Sequence, residues 1–497
     1  MKARSRTIDR PVPEAASRDP RSGGEGLKRV ISFWDALALV VGLIIGSGIF
    51  RAPASVAQHL PSAALMMTAW TLGGLLSLAG GMTAAELGVR FPRSGGQYVF
   101  LREAFGPGVA FAFGWTTILI SKPSVLAGIA TVFAIYFSGL AGLPPGALKL
   151  LAAGAIALLT FVNCLGVKSG TRTQNLLTAV KAGGVALLGL AAFVSGRGAW
   201  GHFSAGAGAS GLAPGDGSPH ALPIAMALGL VTILYTYDGW IDVTYTGGEV
   251  IRPERVLPRA ILFGTLVCTC LYLAANAAYI YLLDPAEMPR LQNVASVAFE
   301  RAFGPAGGTI LALLVVTSTL GILNGSILTG VRVPFAMGRD GMLFRLLGRV
   351  HPRTLSPVNA LVAQGIFACL VVLFASGFDE IASLFVSTTW FFYAVSFAGL
   401  LVIQWRERRE GSPQGKRIRG DQTPGMLAPG GGAKAEGSRY RMPLSPLPAV
   451  LFIVVTVFII GSDLTFSGRR VLVGMGVVLA GVPIYWIWQA LARPRGG

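Results

Sequence analysis

Gly42-Leu43-Ile44-Ile45-Gly46-Ser47-Gly48-Ile49-Phe50 sets three glycines and a serine in the middle of a long apolar block. Glycine weakens a helix, so a helix through this block is expected to break there. A second block breaks in a comparable way at Tyr235-Thr236-Tyr237-Asp238-Gly239-Trp240-Ile241-Asp242, which puts two carboxylates and a glycine deep in apolar sequence. Unwound backbone exposes N–H and C=O groups. Those groups suit a carboxylate and an ammonium, the two ends of a free amino acid. A lone Gly-Ser-Gly is more often a close-packing face between membrane helices. The pair carries more weight, because the two breaks fall in the first and sixth apolar blocks. These are matching places in two five-helix halves, and paired interruptions of this kind point to a transporter site.

Working outward, the whole chain reads as an all-α membrane protein. Of its 497 residues, 53% are hydrophobic and only 13% charged, about half the charged share of an ordinary soluble domain. Twelve apolar blocks are candidate spans: 33–58, 62–89, 107–138, 147–166, 173–196, 222–250, 259–283, 307–333, 357–376, 381–405, 446–464 and 470–491. Most reach the roughly 20 residues that a helix needs to cross ~30 Å of hydrocarbon. The blocks are continuous rather than alternating, which excludes a membrane β-barrel.

The net charge of +18 could suggest a nucleic-acid partner, but Lys and Arg lie mostly in short loops between blocks rather than on one basic face. With the N-terminus placed in the cytoplasm, Arg90, Arg93, Arg102, Lys168, Arg172, Arg252, Arg255 and the cluster Arg406 to Arg419 all fall inside. Twelve spans with both termini cytoplasmic therefore satisfy the positive-inside rule. The polar N-terminal 30 residues do not resemble a signal peptide.

An enzyme reading finds little support. The four histidines (His59, His202, His220, His351) lie near loops without zinc spacing, and no nucleophile has an evident base. No catalytic residue, metal or cofactor is expected. A channel reading lacks a ring of charges or a filter sequence. The four cysteines sit in or beside apolar blocks, which argues against a disulfide framework.

Five segments, in order and at fitting spacing, resemble the amino acid–polyamine–organocation transporter family, most closely its L-type amino acid transporter branch: Gly42 to Phe50, Ala85 to Tyr98 (AELGVRFPRSGGQY), Tyr235 to Trp240, Glu249 to Arg259 (EVIRPERVLPR) and Leu323 to Ser326 (LNGS). The likeness runs from about residue 32 to the end of the twelfth block. It implies a leucine-transporter-type fold, a 5+5 inverted repeat with discontinuous helices 1 and 6 plus two further helices, working by alternating access. By this resemblance Ile45, Gly46, Ser47, Gly48 and Ile49 hold the substrate carboxylate, carbonyls around Tyr235, Thr236, Tyr237 and Asp238 take the ammonium, and Tyr235 is an aromatic gate. Ile120, Ser121, Thr319 and Trp390 would line the side-chain pocket. Lys181 matches a lysine that sodium-independent members carry where sodium-coupled relatives bind the ion. Its ammonium would tether span one to spans five and eight.

The residues themselves leave some roles open. Lys181 is expensive in a membrane helix. It lies about 13 Å from the inner end of its block at 1.5 Å per residue, which is long for snorkelling, so a coupling role is favoured. Lys122, beside Pro123, reads as a functional cation or a structural pair. Asp238 binds substrate amine or, more simply, caps unwound backbone. Asp242 lines the pathway or caps a half-helix. Glu86 and Glu249 are expected to pair with loop arginines in an inner gate or to be solvated. Asn324 and Ser326 approach Lys181 or bond helix to helix.

The expected organisation is a disordered cytoplasmic tail at 1–32, a ten-helix core at 33–405, a low-complexity linker at 406–445, two accessory helices at 446–491 and a cytoplasmic C-terminus at 492–497. The expected function is secondary active transport of amino acids, neutral by default, across the cell (inner) membrane, sodium-independent, by exchange or proton coupling. A polyamine or organic-cation transporter, or a non-transporting sensor of the same fold, is the alternative. The expected partners are the amino acid substrate and the lipid bilayer, with no nucleic acid. The outward loop 139–146 lacks the cysteine that ties eukaryotic L-type members to an accessory subunit, so no disulfide-linked subunit is expected.

Overall fold

A computed structural model describes residues 27–204, 222–291, 293–374, 378–410 and 440–492. Most of the expected tail and linker lies outside these residues. The described part is helical, with one isolated bridge between Ile31 and Val250 and no named strand.

The first span is broken. Helix α1 (Phe33–Ile44) starts at a capping box, in which the Ser32 hydroxyl accepts from the Asp35 N–H and the Asp35 carboxylate accepts from the Ser32 N–H. It stops where Ile45 turns to extended backbone, and α2 (Gly48–His59) restarts after Ser47 at a bend of 43°. Next come α3 (Ala63–Arg90), α4 (Gln97–Phe105) and α5 (Pro107–Thr116), which continues through a π-helical turn at Thr117–Ser121 into α6 (Lys122–Ala141). Then follow α7 (Leu148–Cys164) and α8 (Val167–Val194).

The sixth apolar block is interrupted too. Helix α9 (Leu222–Thr236) ends at the tyrosine-rich stretch, and Asp242–Glu249 continues as a 3-10 helix rather than as a second α-helical half. The remaining helices are α10 (Pro253–Leu282), α11 (Val294–Phe303), α12 (Gly307–Gly330), α13 (Arg332–Arg339), α14 (Val358–Phe374), α15 (Phe378–Glu410) and α16 (Leu447–Ala492).

Seven helical stretches among the described residues are long and apolar enough to cross a membrane, and the bent pair α1–α2 makes an eighth. Shorter apolar helices lie at Leu222–Thr236, Val358–Phe374, Leu447–Gly461 and Val478–Trp488. The chain is therefore a multi-pass membrane protein.

Several boundaries differ from the sequence reading. Residues 167–172, expected as a loop, are helical. The real corner is Gly166, at φ +131°, and Lys168 and Arg172 sit on the first turns of α8. Helix α10 begins at Pro253 because proline suits the first helical turn, where no N–H is needed. The segment 284–306, where the sequence suggests a surface helix, does contain one, α11, capped by the Asn293 side chain, but it is buried along Val294, Ala295, Ala298 and Phe299. The expected turn near 465–469 is helical, since a single glycine without proline does not end a helix. The end of the expected tail is ordered. Val30 and Ile31 donate backbone hydrogen bonds to the Glu249 carbonyl, and the Ile251 N–H donates to Ile31.

Helix α1 packs against α8, α10 and α12, whereas α2 packs against α9. The two breaks thus lie side by side at the centre of the bundle. Ile31, Glu249, Arg332 and Asp340 lie toward one end of the bundle, the tail end.

Candidate functional site

Gly239 lets the two breaks touch. Its φ is +120°, and a Cβ there would come within 2.9 Å of the Leu43 carbonyl carbon, so a side chain would meet both strain and collision. At Gly48 an added Cβ would lie 2.9 Å from the Thr236 side chain. The glycines that weaken the helices also allow their ends to approach.

Between the ends lies a cavity of about 160 Å³. Gly46, Ser47 and Gly48 line one side, and Tyr235, Thr236, Asp238 and Gly239 the other. Ser47 is the N-cap of α2 and makes no side-chain cap bond. The first N–H groups of α2 have no carbonyl one turn earlier, which leaves donors beside the cavity. Ser121, Lys122, Asp242 and Ser326 also line it, and Phe113, Val125, Ile129, Val132, Ile322 and Phe392 supply an apolar wall.

Other residues read from the sequence as site residues lie outside this wall. The Ile45 carbonyl is occupied by Lys181 and Ser318, at 2.8 and 3.2 Å, and Ile49 is fully buried in the core. Tyr237 packs its ring against Trp70 and Tyr272. The Thr319 hydroxyl bonds back to carbonyls of its own helix. Ile120 does not reach the wall, whereas its neighbour Ser121 does, as the rotation from one helical residue to the next requires. Trp390 stacks on Phe452, with ring planes 3° apart, while Phe392 and Tyr393 supply the wall from α15.

Lys181 is fully buried on α8. Its ammonium donates to the carbonyls of Gly42 and Ile45, the last turn of α1. Asn324 does not approach it. Its amide bonds to the Gly170 carbonyl and the Gln174 side chain and accepts from Asn163, a polar seam joining α7, α8 and α12.

Lys122 and Asp242 pair across 2.6 Å, and Thr329 adds a hydrogen bond to the same carboxylate oxygen. The Lys122 ammonium also lies 5.3 Å from the Tyr245 ring centroid. Asp238 accepts a 2.7 Å hydrogen bond from the Tyr393 hydroxyl.

Toward the tail end a series of side-chain bridges follows the cavity. The Tyr245 hydroxyl donates to Gln97 over 2.6 Å, and the Gln97 amide donates to the Phe392 carbonyl and to Ser396. Glu249 and Arg332 form a bidentate pair at 2.8 and 2.7 Å, both buried. Below them Asp340 accepts from the Tyr98 hydroxyl and pairs with Arg102. Burial, together with the Asp340 carboxylate, raises the Tyr98 phenol above its ordinary range, so it stays a donor.

Glu86 is not part of this stack. It pairs with Arg90 and accepts from Gln404 and the Met442 N–H, fastening α3 to α15 and to the segment that precedes α16. Glu249 finds its partner on α13, not in a loop.

Gln97, Tyr245, Arg332, Phe392 and Tyr393 escape a reading of the sequence. Aromatic residues in apolar runs carry no positional signal. Arg332 did carry one, a charge inside an apolar block, but at a span's end it reads as a topology-setting residue. Among the described residues, no cluster of three or more His, Cys, Asp or Glu could hold a metal.

The model of the amino acid permease family matches residues 31–482. The chain is 31% identical over 474 residues to the serine/threonine exchanger SteT of Bacillus subtilis (strain 168), covering 93% of this chain and 97% of that one. It is 33% identical over 388 residues to the b(0,+)-type amino acid transporter 1 of Mus musculus, 77% of each chain. It is 31% identical over 496 residues to the large neutral amino acids transporter small subunit 2 of Homo sapiens, 96% of this chain and 83% of that one.

Proposed function

The chain belongs to the amino acid permease family and transports amino acids, and from that premise we propose that it is a sodium-independent exchanger of neutral amino acids working by alternating access. One observation supports this most directly: the ends of two broken helices converge on one cavity, with the N-terminal end of α2 at Ser47 and Gly48 opposite the carbonyl end of α9 at Thr236. A zwitterion needs that pairing of donors and acceptors. The apolar wall formed by Phe113, Val125, Ile129, Val132, Ile322 and Phe392 suits an uncharged side chain.

Asp238 is engaged by Tyr393 and Asp242 by Lys122, so no spare acidic cluster favours a polyamine. The Lys181 ammonium occupies carbonyls at the end of α1, which supports independence from sodium. Exchange is favoured over proton symport by the likeness to the serine/threonine exchanger.

In this reading the ten core spans form an inverted repeat in the cell membrane, with the continuous helix α16 added beside them. The tail end is cytoplasmic, in agreement with the positions of the basic residues. The stacked bridges from Lys122–Asp242 to Asp340 then close the inner side. The loop 139–146 carries no thiol, so no disulfide-linked subunit is required.

Uptake of a labelled neutral amino acid into proteoliposomes tests the proposal. Uptake should require internal unlabelled amino acid and persist without sodium, and the other neutral amino acids should compete best among the twenty. Uptake into empty vesicles driven by an imposed pH gradient would replace exchange with symport, and a strict sodium requirement would refute the role given to Lys181.

A further inference from the structure

Helices α1 and α9 stop at Ile44 and Thr236. Both residues line the cavity, and the carbonyls of both face one phenol. The hydroxyl of Tyr272, on α10, lies 2.7 Å from the Ile44 oxygen and 3.2 Å from the Thr236 oxygen. Tyr272 is fully buried. Its ring is fixed by Trp70 and Tyr237, with centroids at 5.7 and 4.9 Å, so the hydroxyl has little freedom to leave this position.

A phenol has one proton to donate. It satisfies one carbonyl at a time, and the shorter distance assigns it to Ile44. The Thr236 carbonyl, at the C-terminal and negative end of α9, then retains capacity for another donor.

We propose that Tyr272 is a positioning residue for the substrate. It clamps the two helix breaks at a fixed separation and occupies the Ile44 carbonyl, so that the Thr236 carbonyl is presented to the substrate ammonium. The proposal rests on the transport reading and deepens it by assigning which of the two carbonyls is presented. Without the hydroxyl, both carbonyl ends lose their fixed partner, and the substrate must organise them as it binds, which weakens affinity more than turnover.

Tyr279 provides a matched control. It lies on the same helix, is equally buried, and its hydroxyl has no hydrogen-bond partner. Tyr272→Phe and Tyr279→Phe would be compared with the parent chain by counterflow in proteoliposomes and by equilibrium binding of labelled amino acid to purified protein. The expected result for Tyr272→Phe is an apparent KM and a binding constant raised about tenfold, with maximal exchange per folded molecule within about twofold. Tyr279→Phe should match the parent in both. An unchanged KM in Tyr272→Phe would overturn the proposal, as would equal loss in the two variants. If the parent binds amino acid but does not exchange it, the transport reading fails while the binding comparison still decides the role of Tyr272.

Discussion

The ammonium of Lys181 donates to the Ile45 carbonyl across 2.8 Å, at the point where α1 gives way to unwound backbone. That carbonyl also accepts from Ser318 on α12. One buried cation therefore ties the broken end of the first span to α8, and the shared acceptor brings in α12.

Lys181→Ala should remove the tie and leave two carbonyls short of a donor. Hydrogen bonds to charged groups are worth about 1.5–3 kcal/mol each, so exchange is expected to fall at least about tenfold while the protein still reaches the membrane. Immunodetection in membranes alongside counterflow makes the check. Normal exchange by this variant would remove Lys181 from the mechanism.

The pair Lys122–Asp242 yields a double-mutant test. Lys122→Met leaves a buried carboxylate uncompensated, a loss of about 3–5 kcal/mol, and should lower the thermal midpoint in detergent sharply. Lys122→Met combined with Asp242→Asn should recover most of that loss. If the double variant is as unstable as the single one, the two residues are not coupled.

Ser47→Trp places an indole in a cavity of about 160 Å³ that has no room for it and a substrate together. Labelled amino acid binding should disappear, and addition of amino acid should no longer raise the melting temperature. Retained affinity would move the site elsewhere.

The bidentate Glu249–Arg332 pair predicts a conformational effect. Glu249→Gln weakens the bridge between the 3-10 segment and α13 and should favour opening at the tail end. Ser94 packs against Gly248 close by. A Ser94→Cys thiol should react several-fold faster with a membrane-impermeant maleimide from the tail side in the Glu249→Gln background. Equal rates would show that the pair does not hold that end closed.

Gly239→Ala tests the contact between the two breaks. A Cβ at φ +120° is strained by about 1–3 kcal/mol and meets the Leu43 carbonyl. Both stability and substrate affinity should fall. A variant indistinguishable from the parent would show that the breaks need not touch.

Much of this protein was legible in its sequence, for a physical reason. Lipid cannot hydrogen-bond to backbone, so long apolar blocks must be helices, and glycines or charges inside them stand out against that background. Gly46 to Gly48, Asp238–Gly239 and Lys181 were all visible on those terms, and Ser121 and Tyr235 came with them through the family resemblance. Only the tertiary structure decided which atoms meet. A sequence does not show how a helix is rotated about its axis, so Ile120, Thr319 and Trp390 stood as lining residues while Phe392 and Tyr393 took the wall. It also does not show which distant charges pair, because Lys122 with Asp242 and Arg332 with Glu249 become neighbours only when separate helices pack. Tyr272 is the clearest instance. In the chain it is one more aromatic residue in an apolar run, and only the convergence of α1, α9 and α10 sets its hydroxyl between two helix ends.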